Sequence, residues 1–176
     1  KNGIYKRQVL SQQNYSSETL PYKRGDILDR DGNTLATSQK MYTLVLEPKN
    51  ILRSEEVQKA TIDALHEYMK LDEDKLLKFI KRHKDSYYSV YREELSYSQI
   101  ADLKDFIASD KAENVSGIVF NEKYKRRYPN QSLASQVIGF VSDGTIGTGG
   151  IEQYYNSTLS GVDGRKYKYL NEELEQ

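Results

Sequence analysis

The chain lacks cysteine and tryptophan altogether, and carries only two histidines, two methionines and three prolines among 176 residues. Without cysteine, disulfides, thiol catalysis and cysteine-ligated zinc are excluded together, and the redox compartment stays open. The two histidines, His66 and His83, lie far apart and read as surface residues on helices rather than as a metal site. Net charge is also missing, since 26 lysines and arginines balance 26 aspartates and glutamates. Nucleic-acid binders usually carry a basic excess, so that class is set aside. No apolar run reaches the ~18 residues of a membrane-spanning helix. Nor is Lys1-Asn2-Gly3-Ile4-Tyr5 followed by the apolar core of a signal peptide.

What the chain does have is a high charge content of mixed sign, fifteen tyrosines, and enough length for one or two domains with a real core. Residues 1–20 are polar and read as a linker or an extended arm. Gly25 to Asp29 predicts a short strand, Asp29-Arg30-Asp31-Gly32-Asn33 a turn with glycine where positive φ is wanted, and Thr34 to Ala36 the return of a hairpin. Met41 to Glu47 alternates as a second strand that Pro48 ends. Helical spacing follows: Ser54 caps a helix carrying Val57, Ala60, Ala64, Leu65 and Met69, and Asp72 or Asp74 opens one carrying Leu76, Leu77 and Ile80. Tyr87 to Arg92 reads as a strand. Ser96-Tyr97-Ser98-Gln99 has capping-box form ahead of Ile100, Leu103 and Phe106. Gly117 to Glu122 is a further strand, and Lys123 to Arg127 its solvated basic end. Arg165 to Leu170 alternates as an edge-type strand whose lysines discourage unwanted pairing. Residues 171–176 read as a polar stump.

The densest pattern lies between these last strands. Tyr128-Pro129 forces an extended or turned backbone. Ser132 then caps a helix bearing Leu133, Val137 and Ile138, with small Ala134 and Gly139 allowing close approach. Gly144, Gly147, Gly149 and Gly150 make a turn, and a short helix over 151–159 presents Ile151, Tyr155 and Leu159. The turn lacks the lysine and the strand–turn–helix setting of a phosphate-binding loop. This order predicts an α+β fold of discontinuous build. Segments 21–48 and 115–170 form a β-rich subdomain, and the helical segment 49–114 is inserted as a second lobe.

Four short motifs, R-x-Y-P at Arg126 to Pro129, A-x-x-x-I-G-F at Ala134 to Phe140, G-G-I-E-x-x-Y from Gly149 and L-x-G-x-x-G from Leu159, resemble the N-terminal domain of class B penicillin-binding proteins. Arg24-Gly25-Asp26-Ile27-Leu28-Asp29-Arg30-Asp31-Gly32-Asn33-Thr34-Leu35-Ala36 resembles the same family's R-G-x-I-x-D-R-x-G-x-x-L-A. One departure is Gln131, where many members have glycine; any positive φ there falls to Asn130. The resemblance implies a membrane-proximal pedestal, often called a dimerisation domain, split in sequence by a head. It also implies an anchor helix before residue 1, an extracytoplasmic location, and a serine D-Ala-D-Ala transpeptidase domain beyond Gln176. The partners it implies are that transpeptidase domain, a SEDS-type glycan polymerase and other division or elongation proteins.

The parent chemistry needs S-x-x-K, S-x-N and K-[ST]-G, with a lysine one helical turn from the nucleophile. None of the three occurs here; the nearest, Ser89 with Arg92, ends in a group that stays protonated. No catalytic residue, metal or cofactor is therefore assigned. Asp29 and Asp31 read as turn chemistry rather than a cation site. The residues expected to matter form a structural network: Arg24, Gly25, Asp29, Arg30, Gly32, Arg126, Tyr128, Pro129, Gly139, Gly150, Glu152 and Gly161. Within it, Glu152 is expected to accept a bidentate bond from Arg24, Arg30 or Arg126, against the alternative of independent solvated charges. A glycan strand stacked on Tyr87, Tyr88, Tyr91 and Tyr97 is the alternative function. The N-x-[ST] triplets at Asn14, Asn114, Asn130 and Asn156 are read as chance.

Overall fold

The computed structural model describes residues 15–130, 135–142 and 145–169. They make a mixed α+β fold in two compact units, one drawn from the chain up to Thr37 and from Tyr128 onward, the other from Ser38–Arg127. The sequence had placed these divisions at 48/49 and 114/115. They shift because the second half of the long strand and the whole of the strand at 118–127 pack with the helical lobe.

In the unit Ser38–Arg127, strand β3 (Thr34–Leu46) runs on from the hairpin without a break, so the two expected strands are one. It is followed by α1 (Pro48–Ile51), α2 (Glu55–Met69), α3 (Glu73–Arg82), β4 (Ser89–Leu95), α4 (Tyr97–Ile107), a 3-10 turn at Asp110–Ala112, and β5 (Ile118–Arg127). Helix starts fall where capping chemistry puts them. Ser54 Oγ accepts from the Val57 N–H at 3.2 Å, Asp72 Oδ1 accepts from the Lys75 N–H at 2.8 Å, and Gln99 Oε1 accepts from the Ser96 N–H at 2.8 Å. Each satisfies a donor that the helix itself leaves unpaired.

Strand β4 pairs antiparallel with β3, from Tyr42 opposite Leu95 to Leu46 opposite Ser89, and β5 also pairs with β3. Met41 to Leu46 are all buried, so this stretch is covered on both faces and not on the alternating one the sequence suggested. Leu44, Leu46, Leu65, Leu76, Ile80, Ile100 and Leu103 form the core with Tyr42 and Leu95, each large aliphatic contributing about 1.5–3 kcal/mol by leaving water.

The other unit has β1 (Tyr15–Leu20), β2 (Ile27–Leu28), the start of β3, α5 (Ser135–Ile138), β6 (Phe140–Ser142), β7 (Ile146–Thr148), α6 (Gly150–Tyr154), α7 (Asn156–Leu159) and β8 (Gly164–Tyr169). The expected helix over 151–159 is two short ones, because Tyr155 leaves the helical path at φ −98° and ψ 22°. Residues 15–20, within the segment read as a linker or an extended arm, form a strand. They pair with β8 in a register that sets Glu18 opposite Lys166. In this two-stranded sheet β8 is an edge strand, as its alternation suggests. Asn130 is not among the residues with positive φ. The expectations for 1–14, Gln131, the Ser132 cap, Leu133, Ala134, Gly144, Leu170 and the 171–176 stump lie outside the described residues. A small apolar cluster of Ile27, Ala36 and Ile138, flanked by Leu35, Tyr128, Ile151 and Leu159, gives this unit its own core.

Candidate functional site: a buried arginine–glutamate node

The segment after β1 and the segment containing α6 and α7 meet inside the first unit. Gly25 N–H donates to the Leu159 carbonyl at 2.8 Å, Tyr22 N–H donates to Asp163 Oδ1 at 3.0 Å, and Gly161 packs on the Tyr22 ring, where a Cβ would sit 3.0 Å from the Tyr22 Cβ. These contacts bring the Arg24 side chain over α6 and α7. Arg24 is 1% exposed and Glu152 0%.

The guanidinium is fully engaged. Nε donates to Glu152 Oε2 at 2.8 Å, and Nη2 donates to the Glu152 carbonyl at 2.9 Å. Nη1 donates to Asn156 Oδ1 at 2.9 Å, to Ser160 Oγ at 2.9 Å and to the Thr145 carbonyl at 3.1 Å. Tyr128 Oη donates to Glu152 Oε1 at 3.2 Å, and Asn156 Oδ1 also accepts from the Gly147 N–H at 3.0 Å. Two buried charges thus neutralise each other and hold hydrogen bonds at both ends, the condition under which burial of an ion pair is tolerated.

Glycines make room for the node. A Cβ on Gly139 would fall 2.1 Å from the Gly149 carbonyl oxygen, and one on Gly150 2.1 Å from the Val137 carbonyl oxygen. Both glycines also sit at positive φ, 77° and 51°, where a side chain is strained. The tight β6–β7 hairpin and the start of α6 are therefore backbone packed on backbone.

Of the three arginines open as partners of Glu152, the structure selects Arg24. Arg30 projects into solvent, its side chain 93% exposed, 3.7 Å from Asp31. It tips the hairpin and takes no part in the node. Arg126 is buried in the other unit, with Nη1 donating to Ser38 Oγ at 3.1 Å. Asp29 stays in its turn, where Oδ1 accepts from the N–H groups of Asp31 and Asn33 and Oδ2 from Asn33 Nδ2. Those bonds hold its carboxyl below the usual carboxylate range, the Asn33 side chain contributing most. Gly32 closes that turn at φ 85°, and Pro129 lies in an exposed turn.

Three participants escaped the sequence reading: Thr145 through its backbone, Asn156 and Ser160. The spacing Glu152, Asn156, Ser160 was the available signal, since every fourth residue falls on one helical face. His66 and His83 stay apart in role as well, their Nδ1 atoms lying 2.8 Å from the Leu71 carbonyl and 2.9 Å from the Phe79 carbonyl. Among the described residues no cluster of His, Asp and Glu could hold a metal ion, and no helix is long and apolar enough to cross a membrane. Tyr87, Tyr88 and Tyr97 are exposed, whereas Tyr91 packs edge-on against Phe79.

Residues 19–175 match the family model described as the penicillin-binding protein dimerisation domain. The chain is 30% identical over 149 residues to a probable peptidoglycan D,D-transpeptidase, PenA, of Neisseria meningitidis, covering 84% of this chain and 24% of that protein. It is similar to the crystal structure of penicillin-binding protein 2X from Streptococcus thermophilus, with a TM-score of 0.66 and 26% identity over 85% of this chain and 24% of that one. It shares its fold with a complex between penicillin-binding protein PBP2 and MreC from Helicobacter pylori, at a TM-score of 0.55 and 23% identity over 92% of this chain and 32% of that one. The chain spans about a quarter of the length of the curated relatives it matches. With the same match running through both arms of the Arg24–Glu152 node, the chain belongs to the penicillin-binding protein dimerisation-domain family, the N-terminal domain of class B penicillin-binding proteins.

Proposed function

We propose that this chain is a non-catalytic scaffold and interaction domain that positions a peptidoglycan transpeptidase domain and meets the proteins of wall synthesis. The observation that carries this reading is the Arg24–Glu152 node. Its buried charged groups satisfy each other and the surrounding backbone, which suits a rigid tie between distant segments and not a nucleophile with its base. The absence of S-x-x-K, S-x-N and K-[ST]-G from the sequence agrees with it. The relatives' names supply the parent reaction, and a protein of the same fold is solved with the partner MreC. In this reading the domain acts on the extracytoplasmic side of the bacterial membrane, with a membrane-embedded glycan polymerase among its partners.

Labelled penicillin tests it directly. The 176-residue chain is expected to remain unlabelled, while a longer protein that joins it to an S-x-x-K domain is labelled. Affinity purification of the chain from membranes is expected to bring down a glycan polymerase. Covalent labelling of the chain alone would overturn the non-catalytic reading.

A further inference from the structure

The second unit carries a strongly basic stretch of helix. Between Lys75 and Lys84 the sequence holds Lys75, Lys78, Lys81, Arg82 and Lys84 and no carboxylate, in a chain that is neutral overall. Lys75, Lys78, Lys81 and Arg82 line an open groove of about 610 Å³ on α3, with Phe79 in its floor. The sheet of the same unit treats its cations differently: Lys40 pairs with Glu122, Lys123 with Glu93 and Lys125 with Glu94. Among the described residues, none of the four groove cations makes an ion pair. The floor is fixed as well. The Phe79 ring meets Tyr91 edge-on at 5.0 Å and lies 4.4 Å from the His83 ring.

Lys81 and Arg82 lie in the last turn of α3, where cations meet the negative end of the helix, but like charges this close repel one another, and an anion laid across them relieves that repulsion. Positions 75, 78 and 82 recur at helical spacing, and so do carboxylates at i, i+3 and i+7 of a facing helix. An aromatic floor between the cations matches an apolar side chain placed between those carboxylates. A bare phosphate chain offers nothing to that floor. A second copy of this chain could offer its own acid-lined pocket, where Asp63, Glu67, Asp110 and Glu113 gather; such a head-to-tail contact would close into a ring or run on as a filament, and self-association is read out in the test. We propose that the α3 groove is a docking site for an acidic, amphipathic helical segment of a partner protein. The inference stands on the groove alone and does not depend on the scaffold reading above.

The test is fluorescence anisotropy with a labelled synthetic helix carrying glutamates at i, i+3 and i+7 around a leucine at i+4. The chain is expected to bind it at low ionic strength, and to lose affinity with added salt. The double variant Lys78→Glu with Lys81→Glu, both exposed, is expected to keep its circular dichroism and weaken binding by about tenfold or more. Replacing the peptide's glutamates by glutamine is expected to abolish binding. Equal binding by the double variant, or no binding of the glutamate peptide to either protein, would overturn the proposal. So would binding of phosphatidylglycerol vesicles or polyphosphate in place of the peptide, or self-association that the double variant abolishes. None of these outcomes touches the penicillin-labelling result, so the two readings fail separately.

Discussion

Arg24 Nε and Glu152 Oε2 lie 2.8 Å apart, joining positions separated by 128 residues of chain, and both side chains are sealed from solvent. Removing one partner of such a pair leaves a buried charge uncompensated, a cost of about 3–5 kcal/mol. Glu152→Ala is therefore expected to destabilise by that order, lowering the melting midpoint by roughly 10 °C. Arg24→Lys is expected to lose nearly as much, because an ammonium cannot reach the Glu152 carboxylate, the Glu152 carbonyl and Asn156 as a planar fork does. Differential scanning calorimetry reads both. A Glu152→Ala protein melting with the wild type would mean the pair contributes nothing.

The glycines of this unit separate two effects. At Gly32, φ is 85° and nothing lies within 4 Å of an added Cβ, so Gly32→Ala is expected to cost only the backbone strain, about 1 kcal/mol. At Gly139 the same strain meets the Gly149 carbonyl oxygen at 2.1 Å, and backbone cannot rotate away as a side chain would. Gly139→Ala is expected to cost several times more. Urea denaturation of the two variants side by side checks the ranking, and equal midpoints would refute the close packing.

These two cases show what the sequence could and could not convey. Ser54 and Ser96 were legible as helix starts, and Asp72 as one of two candidates with Asp74, because capping is local chemistry, complete within four residues. Glu152 stood out as a carboxylate among glycine and apolar neighbours, yet its partner among Arg24, Arg30 and Arg126 was not legible. That choice depends on how the hairpin turns, and no local pattern says that Arg30 points outward. The β6–β7 hairpin was read only as a glycine turn, since strands of three residues are too short to show alternation. β8 was legible as an edge-type strand from its alternation, but its partner was not, because that segment is too polar to read as a strand.

Asp29 gives a pH dependence whose sign is fixed by its hydrogen bonds. The Asn33 side chain first, and then the Asn33, Asp31 and Gly32 N–H groups, hold its folded pKa below the ordinary value. A depressed carboxyl stabilises the fold above its unfolded pKa, about 4, and that contribution disappears as pH falls through the folded value. NMR titration is expected to show the Asp29 carboxyl titrating below a free aspartate, and to show Asn33→Ala moving it back toward the ordinary range. The Asp31 and Asn33 amides, which donate to that carboxylate, are expected to lose exchange protection as pH falls through the folded value. An Asp29 titration unchanged by Asn33→Ala would remove the Asn33 side chain as the cause.

Thr61 tests the second unit in the same way. It is fully buried on α2. Its Oγ1 donates to the Ser116 carbonyl at 3.2 Å and accepts from the Ser116 N–H at 3.2 Å, so one hydroxyl satisfies both backbone groups of the residue that leads into β5. Thr61→Val keeps the shape and buries the two groups without a partner, at about 1–3 kcal/mol. Thr61→Ser keeps the hydroxyl and loses one methyl, at about 0.8 kcal/mol. Valine, the more apolar and better-filling residue, is thus expected to be the more damaging one, with unchanged denaturant slopes. If Thr61→Val proves at least as stable as Thr61→Ser, burial of the methyl outweighs the hydroxyl, and the Ser116 contact is incidental to the fold of this unit.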